Sequence, residues 1–305
     1  MQFSGIYKTN SHKIEHSYGG PDIITHHFDS GKTGKHLLVL SGIHAGTERI
    51  PTAATQTAIE MLKNTMLPLT SGKITIIPLC NPLALDQGKR FVDSNLNRVM
   101  CKHETPTDYE HYLANIITDY IDKADAIIDL HTQSTAGIPF VFDDFPNVSG
   151  ELAQNLGVKT IVTGWPEAFE NNAELFNESD TSSYACGLGK PSVCVECGYN
   201  KDPLTAATAL KTIIMAMKLY GLTTDVYVSP KNHEKIHILK GVSMPENAEF
   251  VRHFSNFETV KKGTPLIKQK GSNKILIEAE QDTVLVLPKI WASAGMEAFF
   301  YGKAE

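Results

Sequence analysis

The chain has 305 residues, of which 42% are hydrophobic and 20% are charged, and its formal net charge is −6. This composition is typical of a globular protein with a sizeable core, and the length suggests about two domains. The negative charge supplies no basic surface for nucleic acid, so we exclude that partner. No apolar stretch approaches the roughly 20 residues of a membrane-spanning helix, so we expect no membrane partner either.

The cysteine content and the first residues of the chain predict the compartment. There are five cysteines, and their odd number and irregular spacing indicate reduced thiols rather than a disulfide framework. The first twenty residues lack the apolar core of a secretory signal. We therefore predict a cytoplasmic protein, whose oligomeric state the sequence leaves open, a homo-oligomer included.

Short apolar segments alternate with longer helical patterns through the first two thirds of the chain. The predicted strands are 36–42, 73–79, 125–132, 138–142, 159–164 and 192–198, and the predicted helices are 52–65, 108–124 and 204–222. Most of these strands are apolar on both faces, as in a sheet that helices cover on either side. This alternation predicts an α/β sandwich.

The pattern changes after about residue 224. Short strand-like segments follow one another, mostly separated by Gly, Pro, Asn or Asp, with no long helical pattern between them. They are 225–230, 234–241, 247–254, 264–270, 273–279 and 282–288. Such a series predicts a small all-β domain. We therefore divide the chain into a catalytic domain, 1–223, and a C-terminal domain, 224–305.

Polar residues stand at the ends of several predicted strands, where local structure does not require them. His44 and Glu48 follow strand 36–42, His131 lies in strand 125–132, and Glu196 lies in strand 192–198. Ligands of α/β sheets bind beyond the carboxyl ends of the strands. We therefore expect these four side chains to form one site.

Two histidines and one carboxylate match the ligand set of a catalytic zinc site. Glu48 is the only acidic residue between positions 31 and 58, so a carboxylate ligand near His44 can only be Glu48. Asp129 lies two residues before His131 and could accept the second N–H of that imidazole. The alternative is that His44 is an ordinary loop histidine and Glu48 an acid favoured by a helix N-terminus.

Glu196 and three residues near position 95 are further candidates. Glu196 emerges from an apolar strand, a setting that raises a carboxyl pKa toward the range of a general base. The alternative is a partly buried acid paired with Lys or Arg. Arg90, Asn97 and Arg98 follow strand 73–79, and an Arg binds a carboxylate with two parallel hydrogen bonds. The alternative for NLNR (95–98), taken by itself, is an ordinary surface turn.

Two other features are not assigned to the site. Cys194 and Cys197 fit a CxxC pattern, but residues i and i+3 of a strand point to opposite faces and cannot share a metal. Tyr301 could reach the site from the C-terminal domain. We expect it to face the core instead.

These motifs together resemble the succinylglutamate desuccinylase/aspartoacylase family, which is related to the zinc carboxypeptidases. The corresponding stretches are HAGTE (44–48), Asn81-Pro82, RFVDSNLNR (90–98), DLH (129–131) and VECG (195–198). The first pair of the family is usually spaced i, i+3, whereas His44 and Glu48 are i, i+4. This difference leaves open whether Glu48 is a ligand. Asn95 stands where the family usually has Asp.

The resemblance implies a zinc-carboxypeptidase-like α/β/α sandwich with a mixed sheet and a small C-terminal all-β domain. It also implies a role for each site residue. The implied roles are ligands of one Zn²⁺ per chain for His44, Glu48 and His131, catalytic residues for Glu196 and Arg90, and substrate binding for Arg90, Asn97 and Arg98.

The implied activity is zinc-dependent hydrolysis of the amide bond of an N-acyl amino acid or a related small amide that bears a carboxylate. Two alternatives stay open: a zinc carboxypeptidase that acts on peptides, and a non-catalytic metal- or ligand-binding protein on the same fold. A C-terminal domain that covers the cleft would favour small substrates. Glu196 argues against a binding protein, which needs no base. The sequence does not determine the acyl group or the amino acid.

Overall fold

The computed structural model describes residues 3–166, 168, 179–224 and 232–305, and the strand predicted at 225–230 lies outside them. Within these residues a mixed sheet of twelve strands carries helices on both faces, and a second sheet has three strands. The helices are α1 (Ile50–Lys63), α2 (Pro82–Gln87), α3 (Tyr109–Ile121), α4 (Pro146–Gln154), α5 (Thr181–Gly187) and α6 (Leu204–Leu219), with a 3₁₀ turn at Leu96–Arg98. The predicted α/β/α architecture is confirmed.

The strands of the first two thirds are β1 (Ile6–His12), β2 (Ile23–Asp29), β3 (His36–Ser41), β4 (Lys73–Ile77), β5 (Ala126–Gln133), β6 (Phe140–Phe142), β7 (Thr160–Thr163) and β8 (Ser192–Tyr199). The C-terminal strands are β9 (Glu234–Ser243), β10 (Ala248–Phe250), β11 (Glu258–Val260), β12 (Pro265–Gln269), β13 (Ile275–Glu278), β14 (Thr283–Val286) and β15 (Glu297–Ala304). The order in the large sheet is β1-β2-β4-β3-β5-β8-β6-β7-β9-β15-β14-β11.

Antiparallel pairs flank the parallel centre of the large sheet. β4, β3, β5 and β8 run parallel to one another, while β6 pairs with β8 in the antiparallel sense. The sheet continues into the C-terminal part because β9 pairs in parallel with β7. The parallel centre brings the carboxyl ends of β3, β5 and β8 to the same edge, where the candidate residues lie.

Strand β3 shows why helices cover both faces of the sheet. Leu37 and Val39 point to one face, where they share a core with residues of α1 and α6. Leu38 and Leu40 point to the other face and pack with residues of α3. All four side chains are fully buried, and each such burial stabilises the fold by about 1.5–3 kcal/mol. The continuous apolar run in the sequence follows from this two-sided burial.

The described part of the chain after residue 232 contains strands and no helix, as predicted. Phe299, Leu266 and Phe254 are central to a core of its own. The division at residues 223 and 224 stays a prediction, since the large sheet runs through both parts. Among the described residues, no helix is both long and apolar enough to cross a bilayer.

Candidate active site

The strand register places the predicted residues side by side. His131 of β5 is directly opposite Glu196 of the parallel strand β8. β3 is the other neighbour of β5, with Ser41 opposite Leu130, and His44 follows three residues after Ser41. The sequence prediction that these strand ends converge is therefore confirmed.

A tight turn after β3 brings His44 and Glu48 together. The backbone N–H groups of Thr47 and Glu48 both donate to the carbonyl oxygen of His44, at 3.0 and 2.9 Å. Gly46 lets the backbone of Lys89 pack against this turn, because a Cβ at this position would lie 2.0 Å from the carbonyl oxygen of Lys89. A single helical turn puts residues i and i+4 on one face. The additional residue of this loop therefore does not separate the two side chains.

Glu48 lies between the two imidazoles. Its Oε1 is 3.1 Å from His44 Nδ1, and its Oε2 is 3.1 Å from His131 Nδ1. Ligand atoms of these three residues all lie within 4.8 Å of one another, and the three side chains are buried. Two imidazole nitrogens and a carboxylate are a donor set that zinc prefers. The chemistry and the spacing of these residues therefore fit one metal ion.

The second nitrogen of each imidazole also has a polar neighbour. His44 Nε2 is 2.8 Å from Asn95 Oδ1, and His131 Nε2 is 3.0 Å from Asp129 Oδ2. The hydrogen bond to Asn95 orients the His44 ring and leaves its other nitrogen for a metal, whereas the contact of His131 with Asp129 is an ion pair without hydrogen-bond geometry. The role of Asp129 was predicted from its position on the strand. The role of Asn95 was not, although its place directly before Leu96-Asn97-Arg98 was noted.

Electrostatics keep Glu48 ionised. Burial alone would raise its pKa, but His44, His131 and Arg90 hold the pKa of Glu48 well below its ordinary value. Burial and the charge of Arg90 lower the pKa of His44 to about 4. Burial would also lower the pKa of His131, but Asp129 and Glu48 raise it well above its usual range. The site thus holds a carboxylate and one neutral imidazole, that of His44, whereas His131 would release a proton on binding a metal.

Glu196 has the environment of a general base. Burial raises its pKa to about 7, and the negative charge of Glu48 contributes to this rise. Its Oε2 is buried and has no hydrogen-bond partner among the described residues. A carboxyl group whose pKa lies near neutral pH can accept and return a proton.

Arg90, Asn97 and Arg98 line the same cavity as the metal ligands. Arg90 Nη1 donates to Glu48 Oε1 at 2.7 Å. Arg98 Nη1 donates to the carbonyl oxygen of Asn97 at 2.7 Å, and Asn97 Oδ1 accepts from Thr181 Oγ1 at 3.4 Å. The structure therefore brings all the predicted site residues together.

A buried acid that the sequence analysis missed holds the loop between Arg90 and Arg98. Glu110 of α3 accepts hydrogen bonds from three successive backbone N–H groups, those of Val92, Asp93 and Ser94, at 2.6, 3.0 and 3.0 Å. Loop and helix are distant in sequence, so the local pattern contained no signal for this contact.

The cavity has a volume of about 700 Å³, and the C-terminal part of the chain forms one of its walls. Residues 253–255 and 287–291 line it together with residues of the catalytic part. Lys289 was missed by the sequence analysis. Burial lowers its pKa, although its partner Glu297, at 3.1 Å, opposes this effect.

Tyr301 is buried in the C-terminal core, where its hydroxyl donates to the carbonyl oxygen of Glu278 at 3.3 Å, so it faces the core as expected.

Fold and site define a protein of the α/β/α class with a buried His-Glu-His group that could hold a metal ion. Residues 33–219 match the model of the succinylglutamate desuccinylase/aspartoacylase catalytic domain, and the chain belongs to this family.

Solved structures share the fold over nearly the whole chain. A succinylglutamate desuccinylase/aspartoacylase from Rhodobacter sphaeroides is 14% identical, with a TM-score of 0.80 over 100% of this chain and 98% of its own. A succinylglutamate desuccinylase from Silicibacter sp. TM1040 is 17% identical, with a TM-score of 0.77, and the match covers 100% of this chain and 97% of its own. The ectoine utilization protein EutE (DoeB) from Ruegeria pomeroyi, in a product-bound structure, is 16% identical, with a TM-score of 0.78, and the match covers 97% of this chain and 95% of its own.

Proposed function

We propose that this protein is a zinc-dependent amidohydrolase that cleaves the amide bond of an N-acyl amino acid or a related small amide bearing a carboxylate. The observation that carries the proposal is the position of the Glu48 carboxylate between two imidazole Nδ1 atoms, with Glu196 on the strand beside His131. The five free cysteines support a reducing compartment, and we place the protein in the cytoplasm.

His44, Glu48 and His131 would hold one zinc ion per chain. A bound zinc ion supplies a Lewis acid and lowers the pKa of a water molecule toward neutrality. The remaining chemistry comes from residues of the chain. Glu196 accepts a proton from the attacking water, because its pKa of about 7 favours transfer near neutral pH. It then donates this proton to the leaving amine.

The basic residues position the substrate and stabilise negative charge. Asn97 and the half-buried Arg98 bind the carboxylate of the amino acid, since Arg forms paired hydrogen bonds with a carboxylate. Arg90 has N–H groups beyond the one that contacts Glu48, and these donate to the oxyanion that forms at the acyl carbonyl.

The wall formed by residues 253–255 and 287–291 supports small substrates rather than long peptides. The test is a hydrolysis screen of the zinc-loaded protein with N-acetyl, N-succinyl and N-formyl amino acids, and short peptides as the contrast set. We expect release of a free amino acid from at least one N-acyl series. Glu196→Gln should retain zinc but lose at least about a hundredfold in turnover. Cleavage of peptides alone, or of nothing, would contradict the proposal.

A further inference from the structure

Part of the cavity lies beyond the residues that the proposed mechanism uses. We call it the aromatic pocket and define it by its described lining residues, which are Phe142, Asp144, Phe145, Trp165, Asp180, Ser182, Ser192 and Cys194. Its side chains are predominantly aromatic or small. The pocket therefore offers apolar surface and space next to the catalytic residues.

Strand β8 forms the floor of the aromatic pocket. Ser192, Cys194 and Glu196 alternate along β8, so they share one face, and all three line the cavity. Successive residues on one face are about 7 Å apart. On this face of the strand, Cys194 is therefore the residue next to the proposed general base, Glu196, and Ser192 is the residue after Cys194. Both side chains are small, which leaves room beneath Glu196 for a group of the substrate.

The aromatic wall begins beside Cys194. β6 pairs with β8 so that Val141 is opposite Val195, and the next residue, Phe142, lies beside Cys194. The ring of Trp165 packs edge-on against Phe142, with centroids 5.1 Å apart. The guanidinium carbon of Arg98 lies 5.9 Å from the centroid of Trp165. The wall thus leads from the floor to the residue proposed to bind the substrate carboxylate.

The charges around the aromatic pocket disfavour an acidic group. Asp144 and Asp180 line it, and each uses one oxygen to accept a backbone N–H, from Trp165 and Ser183 at 2.9 and 2.7 Å. The sequence contains no Lys or Arg from residue 160 to residue 189. Burying a carboxylate without a cationic partner is costly, and none of the eight described residues that define the aromatic pocket carries a positive charge.

Two hydroxyl groups line the aromatic pocket. The Oγ atoms of Ser182 and Ser192 are buried and have no hydrogen-bond partner within the described part of the chain. A buried hydroxyl without a partner is uncommon, and a ligand group can satisfy it. These hydroxyls suit a side chain that is apolar along its length and polar at its tip.

We propose that the aromatic pocket binds the side chain of the amino acid whose carboxylate Arg98 holds, and that this amino acid is aromatic, of the phenylalanine or tyrosine type. The inference rests on the proposed function, because it assigns a pocket to the side chain of the same amino acid whose carboxylate Arg98 is proposed to bind. Apolar burial against Phe142 and Trp165 selects the ring, and the Ser192 hydroxyl meets the phenol of tyrosine.

The test compares amino acids that carry one common acyl group, the one that gives the highest rate in the screen above. The zinc-loaded protein is assayed with the N-acyl derivatives of alanine, phenylalanine, tyrosine, aspartate and lysine. One methylene in an apolar pocket changes kcat/KM by roughly 10–200-fold, so we expect the aromatic substrates to exceed alanine by at least about 100-fold. Equal rates, or a preference for aspartate or lysine, would overturn the inference while leaving the proposed function standing.

Filling the pocket provides a second test. Cys194→Leu should lower the ratio of kcat/KM for the phenylalanine substrate to that for the alanine substrate by at least about tenfold. Cys194→Met, with a more flexible side chain, serves if the leucine variant folds poorly. Cys101→Leu is the matched control, since Cys101 does not line the cavity, and its ratio should equal that of the wild type. An unchanged ratio in both Cys194 variants would refute the assignment of the pocket.

Discussion

The raised pKa of Glu196 has a consequence for stability that can be measured without substrate. The folded protein holds this pKa at about 7, chiefly through burial, against an ordinary value of 4.5. Because the folded pKa is the higher one, folding favours the neutral carboxyl. The neutral form therefore contributes its full stability below about pH 4.5, and this contribution is lost as the pH rises through 7. Glutamine cannot ionise, so Glu196→Gln should be spared this loss.

The magnitude follows from the size of the shift. A difference of about 2.5 pKa units corresponds to at most about 3 kcal/mol. Most of this energy is lost between pH 5 and pH 8. As the pH rises from 5 to 8, the free energy of unfolding of Glu196→Gln should thus increase by roughly 2–3 kcal/mol relative to that of the wild type.

The assay is urea-induced unfolding of the wild type and the variant at pH 5 and pH 8, with chelator present throughout to keep metal from the site. Glu60→Gln, on the exposed face of α1, is the control for removing one carboxylate. If the difference between wild type and Glu196→Gln is the same at both pH values, Glu196 does not titrate in this range and the reasoning from its burial is refuted.

Two further predictions concern the turn after β3. Glu48→Ala should lower the affinity for zinc by more than the 10–100-fold typical of losing an outer-shell partner; competition with a chromogenic chelator measures this, and unchanged affinity would remove Glu48 from the ligand set. Gly46→Ala should destabilise the protein by about 1–3 kcal/mol, because its Cβ would clash with Lys89. Thermal unfolding measures this effect, and an unchanged Tm would show that the turn has room to move.

Much of the candidate site follows from local patterns in the sequence. β3, β5 and β8 are apolar runs that end in polar residues, and parallel strands place such ends at one edge. The spacing of His44 and Glu48 was the open question at the sequence level. The structure brings the two side chains together with a turn in which the Glu48 N–H donates to the His44 carbonyl oxygen, a contact that residues i and i+4 make in any helical turn.

The remaining features depend on contacts between distant parts of the chain. Lys289 reaches the cavity because the sheet continues from β7 into β9 and the C-terminal strands, a pairing that no local pattern encodes. Glu110 binds a loop more than ten residues away. In the sequence it is indistinguishable from an ordinary acid in the first turn of a helix. The strands β1 and β2 were also missed, and β1, at the edge of the sheet, is largely exposed and lacks an apolar face.

The central claim is that one zinc ion, held by His44, Glu48 and His131, is required for hydrolysis of an N-acyl amino acid. The most direct test is to strip the protein with chelator, return Zn²⁺ in steps, and measure free amino acid released from the best substrate at each step. The account predicts a rate that rises in proportion to the zinc added and reaches its maximum at one ion per chain. A rate that is unaffected by stripping and restoring zinc would contradict it.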